Sequence, residues 1–211
     1  MQVLNELNSA RLLPSLIFGG GTMLRLCHGL DRYSVDLDFY PAKPDIISGL
    51  MSRCINRLGR RWALKDNQDK RNTILIEIAS SQSPRKLKIE INKSKSITQW
   101  KQEIAWSPFS NLQVLVNAVS LPDMAKMKIE ALLNRKEIRD AYDLEFLLRK
   151  KVCLPGDFDQ FQKILEIIDG FTHRDFAVKL GSIIEAEKRQ YYMENRFALL
   201  KAYVQEMLAN R

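Results

Sequence analysis

The sequence predicts an α+β fold, with a small mixed or antiparallel β-sheet in the first part of the chain and a helical bundle in the second. Apolar runs and alternating patterns typical of strands occur between residues 16 and 117, with polar turns between them. From Ser120 onward, apolar residues recur at helical spacing. No repeat, low-complexity tract or long linker separates the two parts. We therefore expect two domains that pack together, residues 1–119 and 120–211.

The first helix and strand lead into a glycine turn. Apolar spacing predicts a helix over residues 2–13, which Pro14 ends. Leu16–Phe18 is an apolar run typical of a short buried strand, and Gly19–Gly21 follow it directly. Glycine allows a sharp turn and lets a phosphate approach the main chain closely. We expect Thr22 to cap the next helix, so that free N–H groups at the helix start face a phosphate.

Two aspartates follow in the segment V-D-L-D-F, residues 35–39. The alternation predicts a strand, and side chains two residues apart on a strand share a face, so Asp36 and Asp38 should point the same way. Val35 and the alternate apolar residues after it should face the core. Two adjacent carboxylates repel each other unless a cation neutralises them, and Mg²⁺ prefers such oxygen ligands. The segment therefore predicts a site for metal-assisted phosphoryl or nucleotidyl transfer.

Further strands and helices complete the predicted fold. A helix is expected over residues 46–58, followed by a strand that begins near Trp62 and a polar turn at residues 66–72. The clearest later strands are Thr73–Ala79, Lys86–Asn92 and a short one at residues 112–117. The predicted C-terminal helices begin at Ser120 or Asp123 and continue over residues 139–150, 157–169, 173–188 and 190–209.

The glycine turn and the aspartates resemble the first motif of the DNA polymerase β-like nucleotidyltransferases, and above all the AbiEii/AbiGii toxin group. In that group G-G-T-x-L leads through a short helix to R-x-S-x-D-L-D-F. The matching residues are Gly20, Gly21, Thr22, Leu24, Arg32, Ser34, Asp36, Leu37, Asp38 and Phe39. The resemblance implies that Asp36 and Asp38 hold Mg²⁺ in a two-metal site. It also implies that the G-G-T residues cradle the β- and γ-phosphates of an NTP.

Such a site generally needs a third carboxylate from a neighbouring strand. Glu90 is the best match, because it lies on the polar face of the alternating segment K-L-K-I-E-I-N, residues 86–92. It would serve as metal ligand and as a base. The competing interpretation is a solvated Glu90 paired with Lys86 or Lys88. Glu77 is a weaker alternative, in a setting without an evident basic partner.

A second segment, residues 127–148, resembles the K-[LI]-x-A-L…R…R-D-x-x-D-L pattern of the same toxin group. The matching residues are Lys128, Ala131, Leu132, Arg135, Arg139, Asp140, Asp143 and Leu144. From helical spacing alone, these charged residues form either a structural ion network or part of an active site. The resemblance favours Lys128 on the triphosphate with Asp143 as its partner. Asp140 with Arg139 is expected to be structural.

Ser34 lies two residues before Asp36 and has two interpretations. Its hydroxyl could contact the nucleotide or accept a nucleotidyl or phosphoryl group, or it could bond a nearby main-chain group in a turn. Arg25, Arg32 and Lys43 flank the same segment. They are either phosphate contacts or ordinary solvated charges.

Composition restricts the compartment and the partners. The 33 Lys and Arg residues outnumber 25 Asp and Glu residues, which gives a net charge of +8. Such a balance favours a polyanionic partner such as RNA, although it also serves solubility alone. The three cysteines form no disulfide or zinc pattern. Without an apolar membrane-spanning run or a signal peptide pattern, we expect no membrane contact and a cytoplasmic location.

Together, these patterns predict a Mg²⁺-dependent nucleotidyltransferase that moves a nucleoside monophosphate from an NTP to an acceptor hydroxyl. The resemblance implies a toxin of a toxin–antitoxin or phage-defence system, with tRNA as acceptor and a separate antitoxin protein. Three alternatives remain open at this point. They are a transferase that acts on a protein or small molecule, a non-catalytic basic RNA-binding module on the same scaffold, and a structural protein in which the motif residues are incidental.

Overall fold

The computed structural model describes residues 1–81 and 83–210, without the side chains of residues 44, 45, 83 and 84. Contacts divide the chain into two compact units. The first contains Met1–Gly29 and Ser34–Ser120, and carries the sheet. The second contains Leu30–Tyr33 together with the chain from Leu121 onward, and is helical. The architecture is the α+β class that the sequence predicts.

The first unit is built on a seven-stranded mixed sheet in the order β3-β4-β5-β2-β1-β7-β6. The strands are β1 (Leu16–Gly19), β2 (Leu37–Pro41), β3 (Ala63–Asp69), β4 (Thr73–Ser80), β5 (Ser83–Asn92), β6 (Trp100–Ser107) and β7 (Ser110–Val119). Strand β2 runs parallel to β5, and β1 runs parallel to β7. The other neighbours are antiparallel. The predicted mixed sheet is therefore confirmed.

Alternation along the central strands separates an apolar face of the sheet from a polar one. Ile74 and Ile76 on β4 and Ile89 on β5 are buried on one face. Leu37 on β2 lies beside Ile89 and is buried with them. The residues between these apolar positions lie on the opposite face, because successive side chains of a strand point to opposite sides. The acidic residues of β2 and β5 share this second face.

Three α-helices accompany the sheet: α1 (Gln2–Ser9), α2 (Gly20–His28) and α3 (Leu50–Leu58). Short 3₁₀ turns occupy Leu13–Ser15 and Pro44–Ile47. Helix α1 packs on α3 and β7, and α3 packs on β3 and β4. The buried residues of both helices recur at helical spacing, as expected for an amphipathic helix that covers a sheet.

The edge strands differ most from the sequence prediction. Residues 66–69, predicted as a polar turn, belong to β3, and residues 100–107 form β6, a strand that the sequence pattern does not predict. Strand β3 lies at one edge of the sheet and β6 at the other. An edge strand has one neighbour and much solvent exposure, so it needs little of the apolar alternation by which strands are recognised. The predicted helix over residues 2–13 ends at Ser9.

The second unit contains α4 (Leu121–Arg135), α5 (Ile138–Arg149), α6 (Phe158–Asp169), α7 (Ala186–Asn195) and α8 (Ala198–Ala209). The single helix predicted over residues 173–188 is instead interrupted: a π-helical segment covers Asp175–Leu180, and α7 begins only at Ala186. The short segment Leu30–Tyr33 is held here by an isolated bridge between Arg32 and Ile184. In addition, the Tyr33 N–H donates to the Ile183 carbonyl at 2.6 Å. No helix in the described part of the chain has the length and apolar character needed to span a membrane.

Candidate active site

The glycine turn lies directly against Asp38. Strands β1 and β2 pair so that Gly19 lies opposite Asp38. Gly20 follows with φ of +72°, a conformation that favours glycine. A Cβ atom added at Gly20 would lie 1.9 Å from Asp38 Oδ2, so no other residue fits without moving that carboxylate. The turn therefore brings the start of α2 to the predicted metal-binding aspartate.

Thr22 does not cap α2, which corrects the sequence prediction. The helix begins at Gly20 after Gly19, so that Gly21 and Thr22 already lie in its first turn. Thr22 Oγ1 donates a hydrogen bond of 2.9 Å to Ser34 Oγ. The partner of Ser34 is thus a side chain, and the expected turn contact with a main-chain group is not the one observed.

Thr22 and Ser34 also line a cavity of about 490 Å³ in the sheet unit. Leu37 and Leu87, from the apolar face of the sheet, contribute to its walls, and Arg25 lies among its lining residues. The volume is within the range usual for small-molecule sites. The two hydroxyls that the sequence assigns to nucleotide binding are therefore side by side at the edge of a cavity.

Asp38 and Glu90 lie on adjacent strands of the sheet, and Asp36 lies just ahead of one of them. Strand β2 begins at Leu37, so Asp36 lies immediately before it, and Asp38 lies within it. The parallel register between β2 and β5 pairs Asp38 with Glu90. Paired residues on neighbouring strands point to the same face, so Glu90 is placed beside Asp38 as predicted. Val35, expected to face the core, is 48% exposed because it lies ahead of the strand.

Lys88 supplies a positive charge to this acidic group. Its ammonium forms an ion pair with Glu90, two residues further along the same face of β5. The hydrogen bond to Glu90 and the nearby charges of Glu90, Asp36 and Asp38 together raise the pKa of Lys88. The charges of all three carboxylates therefore favour the protonated form of one ammonium group. The sequence prediction considered Lys88 only as a competing partner of Glu90.

Glu77, the alternative third carboxylate, has a different environment. It lies opposite Lys88 in the β4–β5 register, whereas the residue opposite Glu90 is Leu75. Its side chain pairs with Lys86 at 3.2 Å, so the prediction that Glu77 lacks a basic partner is wrong. Among residues 1–81 and 83–210, no three His, Cys, Asp or Glu side chains already stand at metal-ligand distances from one another.

The predicted charged residues of the second motif form a buried network in the helical unit. Lys128 Nζ lies 2.6 Å from Asp143 Oδ2, which is the pairing that the motif predicts. Arg32 donates two hydrogen bonds to the same carboxylate: Nε to Asp143 Oδ1 at 2.6 Å and Nη2 to Asp143 Oδ2 at 2.7 Å. Burial alone would raise the pKa of Asp143, but the charges of Lys128 and Arg32 outweigh it and lower that pKa. The Asp143 side chain is fully buried.

Asp140 is held by Arg135, the last residue of α4. Both oxygens of the fully buried Asp140 side chain accept hydrogen bonds of 2.6 Å from Arg135. Lys128 Nζ also lies 3.4 Å from Asp140 Oδ1. Because α4 carries Lys128 and Arg135 while α5 carries both aspartates, the network joins these two helices.

Sequence reasoning underestimated Arg32 and Lys88. Arg32 was considered a phosphate contact or a solvated charge, but it is 5% exposed and bound to Asp143. The signal available was its place in R-x-S-x-D-L-D-F, which matches the family pattern. For Lys88, the signal was its spacing of two residues from Glu90 on a strand, which places both on one face.

Comparisons with known proteins identify a family for the whole chain. Residues 2–208 match the family model described as nucleotidyl transferase AbiEii toxin, type IV toxin–antitoxin system. The chain is also 25% identical over 220 residues to the uncharacterized protein aq_aa25 of Aquifex aeolicus (strain VF5), over 99% of this chain and 96% of that protein.

Solved structures share the fold across the whole length of the chain. A candidate nucleotidyltransferase from H. pylori has a TM-score of 0.61 at 20% identity, over 99% of this chain and 96% of its own. JHP933 from Helicobacter pylori has a TM-score of 0.57 at 19% identity, with the same coverage. MenT4, the nucleotidyltransferase toxin Rv2826c from Mycobacterium tuberculosis H37Rv, has a TM-score of 0.53 at 15% identity, over 99% and 87% of the two chains.

The family match spans nearly all of the chain, and both motifs quoted from the sequence fall within it. The protein belongs to the AbiEii family of nucleotidyltransferase toxins.

Proposed function

We propose that this toxin transfers a nucleoside monophosphate from an NTP to an acceptor hydroxyl on RNA, with tRNA as the acceptor, in a Mg²⁺-dependent reaction. The observation that carries the proposal is the register of three neighbouring strands. It places Gly19 beside Asp38 and Asp38 beside Glu90, with the glycine turn against the Asp38 carboxylate. A phosphate-binding turn and a set of oxygen ligands thus meet at one point of the sheet.

The donor set suits Mg²⁺. The available ligands are carboxylate oxygens, which this hard cation prefers. The ion pair of Lys88 with Glu90 supports this assignment, because it shows one of these carboxylates already neutralised by a cationic group. We assign Asp36, Asp38 and Glu90 as the residues that would hold the metal ions. When bound there, Mg²⁺ would neutralise phosphate charge and activate the acceptor hydroxyl.

The residues around the carboxylates bind and orient the nucleotide in this proposal. Gly20 and Gly21 present main-chain N–H groups at the start of α2, where the helix dipole also favours a phosphate. Thr22 and Ser34, which are hydrogen-bonded to each other next to the glycine turn, would contact the nucleotide. Glu90 is also the proposed base that accepts the proton of the attacking hydroxyl.

Lys128 and Asp143 enter the proposal through the family pattern. Lys128 would neutralise charge on the triphosphate, and Asp143 would hold Lys128 in place. Their 2.6 Å contact supports the second role directly. The buried contacts of Asp143 with Arg32 support a structural role as well, so a variant of either residue must be tested for folding before its activity is interpreted.

RNA as acceptor is supported by the net charge of +8, because Lys and Arg contacts to phosphates drive binding to nucleic acids. The toxin–antitoxin family supports a separate antitoxin protein as the counterpart of this chain. The choice of tRNA follows from the family resemblance. We further propose that the protein acts in the cytoplasm, where NTPs and tRNA are available.

The proposal predicts label transfer that depends on Asp38. The purified protein would be incubated with Mg²⁺, total RNA and each NTP in turn, labelled at the α-phosphate. We expect label in a tRNA-sized band and at least a hundredfold loss in an Asp38→Asn variant, which keeps the shape of the side chain and removes a metal-binding charge.

Two matched variants, Glu77→Gln and Glu90→Gln, test which glutamate supplies the third carboxylate. Both lie on neighbouring strands, but only Glu90 pairs with Asp38 in the register, so Glu90→Gln should lose activity and Glu77→Gln should retain it. Label on protein would identify a protein acceptor instead. Absence of any label, together with absence of NTP binding, would refute the transferase.

A further inference from the structure

Lys88 occupies a position that the reaction chemistry does not explain. It lies on β5 between the two carboxylate-bearing strands β2 and β4, and it forms an ion pair with Glu90. We propose that Lys88 is a built-in counter-ion of the site, which neutralises the carboxylates in the metal-free protein and competes with divalent cations for them. This inference rests on the proposed function, because it takes Asp36, Asp38 and Glu90 as the metal ligands.

The strand register places Lys88 near the proposed metal-binding carboxylates. Leu37 pairs with Ile89 between β2 and β5, so Asp36 and Lys88 each come directly before a residue of this pair. The next pair along the strands is Asp38 with Glu90. Lys88 and Glu90 share a face because they are two residues apart. A single flexible side chain on this face can therefore reach the acidic group from within the sheet.

The chemistry of lysine suits a replaceable counter-ion. Its ammonium is a compact point charge on a long flexible stem, and it needs no fixed geometry to neutralise a carboxylate. The Lys88 side chain is 39% exposed, so it can leave Glu90 for solvent without disturbing the core. Arriving metal ions must displace this charge before they bind. The cost of that displacement lowers the affinity for divalent cations.

Lys86 provides a matched control on the same strand. It shares the face of Lys88, is two residues away, and pairs with Glu77, which is outside the proposed ligand set. Its side chain is 59% exposed. Substitution of either lysine by methionine removes the same charge from the same strand. Only the Lys88 substitution removes a charge from the acidic group itself.

The test measures the affinity for Mn²⁺ alone, by electron paramagnetic resonance of the free ion, without NTP or RNA. We expect Lys88→Met to bind Mn²⁺ about tenfold more tightly than the unsubstituted protein, since one unit charge next to the site is removed. Lys86→Met should change the affinity by less than about twofold, and Lys88→Arg, which keeps the charge, should resemble the unsubstituted protein. An unchanged or weaker affinity in Lys88→Met, or an equal gain in Lys86→Met, would overturn the proposal.

Thermal unfolding gives a second readout that does not depend on catalysis. In the presence of a chelator, Lys88→Met should unfold at a lower temperature than Lys86→Met, because its carboxylates repel one another without a counter-ion. Added Mn²⁺ should raise its unfolding temperature more than that of the unsubstituted protein. If RNA is labelled but Lys88→Met and Lys86→Met have the same Mn²⁺ affinity and unfolding temperature, the counter-ion role is refuted and the proposed transferase activity is retained. If the Lys88 effects occur and nothing is labelled, the counter-ion stands and the transferase does not.

Discussion

At the scale of a single residue, Gly20 joins the turn that we propose to bind phosphate to the carboxylate that we propose to bind metal. Its φ of +72° disfavours any side chain, and an added Cβ would in addition meet Asp38 Oδ2 at 1.9 Å. Gly29, which ends the same helix, has a similar φ of +77° but no atom within 4 Å of an added Cβ. A side chain at Gly29 would therefore meet backbone strain alone, whereas a side chain at Gly20 would meet both backbone strain and the Asp38 carboxylate.

Replacing each of these glycines by alanine should have different effects. Gly29→Ala should cost about 1–2 kcal/mol of the free energy of unfolding, from the left-handed conformation alone. Gly20→Ala should cost more and should abolish label transfer, because Asp38 must move away from its position beside Glu90. Chemical denaturation and the RNA labelling assay measure the two effects. Equal losses of stability and activity in the two variants would show that the Asp38 contact is unimportant.

At the scale of elements, α4 and α5 are joined to the segment Leu30–Tyr33 through one buried aspartate. Asp143 on α5 forms an ion pair with Lys128 on α4, and Arg32 donates two hydrogen bonds to the same carboxylate. All three side chains are less than a tenth exposed. Removing one partner of a buried ion pair is costly because it leaves charge uncompensated in the interior.

Arg32→Met should therefore lower the free energy of unfolding by about 3–5 kcal/mol. A surface pair offers the control: Lys179, whose side chain is 62% exposed, contacts Asp175 at 2.7 Å. Lys179→Met should cost far less, because solvent screens an exposed ion pair. Urea denaturation followed by circular dichroism compares the two. A similar small loss in both variants would mean that Asp143 finds sufficient compensation from Lys128, and that the segment Leu30–Tyr33 is held mainly by its backbone contacts.

At the scale of the whole molecule, stability should depend on acid through the buried carboxylates of the helical unit. Burial would raise the pKa of Asp143, yet the charges of Lys128 and Arg32 lower it below its ordinary value. The pKa of Asp31 is lowered in the same way: burial would raise it, but the hydrogen bonds from Lys188 and Tyr142 outweigh the effect of burial. A carboxyl group whose pKa is lowered in the folded state stabilises the protein above its unfolded pKa, and this stability is lost as the pH falls.

We therefore expect the free energy of unfolding to fall below about pH 4, near the pKa of an aspartate in an unfolded chain. Asp143→Asn should be less stable at neutral pH and should show a shallower decrease in stability in acid, since one of the carboxylates that cause the decrease is gone. Denaturation curves at a series of pH values measure both slopes. If the free energy of unfolding fell equally steeply with decreasing pH in both proteins, Asp143 would contribute nothing to the loss of stability in acid.

Local patterns in the sequence were sufficient for the central elements of the fold. The apolar run before the glycine turn and the alternation over residues 73–79 and 86–92 each predict a strand that the structure contains. The motif residues were found because their types and spacings match a family that spans residues 2–208. Period and spacing are properties of neighbouring residues, and they can be read without knowing the fold. The roles assigned to the individual site residues remain predictions.

The tertiary structure alone decided which distant residues meet. The partner of Arg32 is Asp143, 111 positions along the chain, and no local pattern connects them. The pairing of Asp38 with Glu90 depends on a parallel register, which would change face with a shift of one residue. The edge strand β6 and the place of Lys88 among the carboxylates follow from neighbours in the sheet. Sequence thus determined the elements and the family of this protein, whereas long-range pairing, which is absent from local periodicity, determined its site.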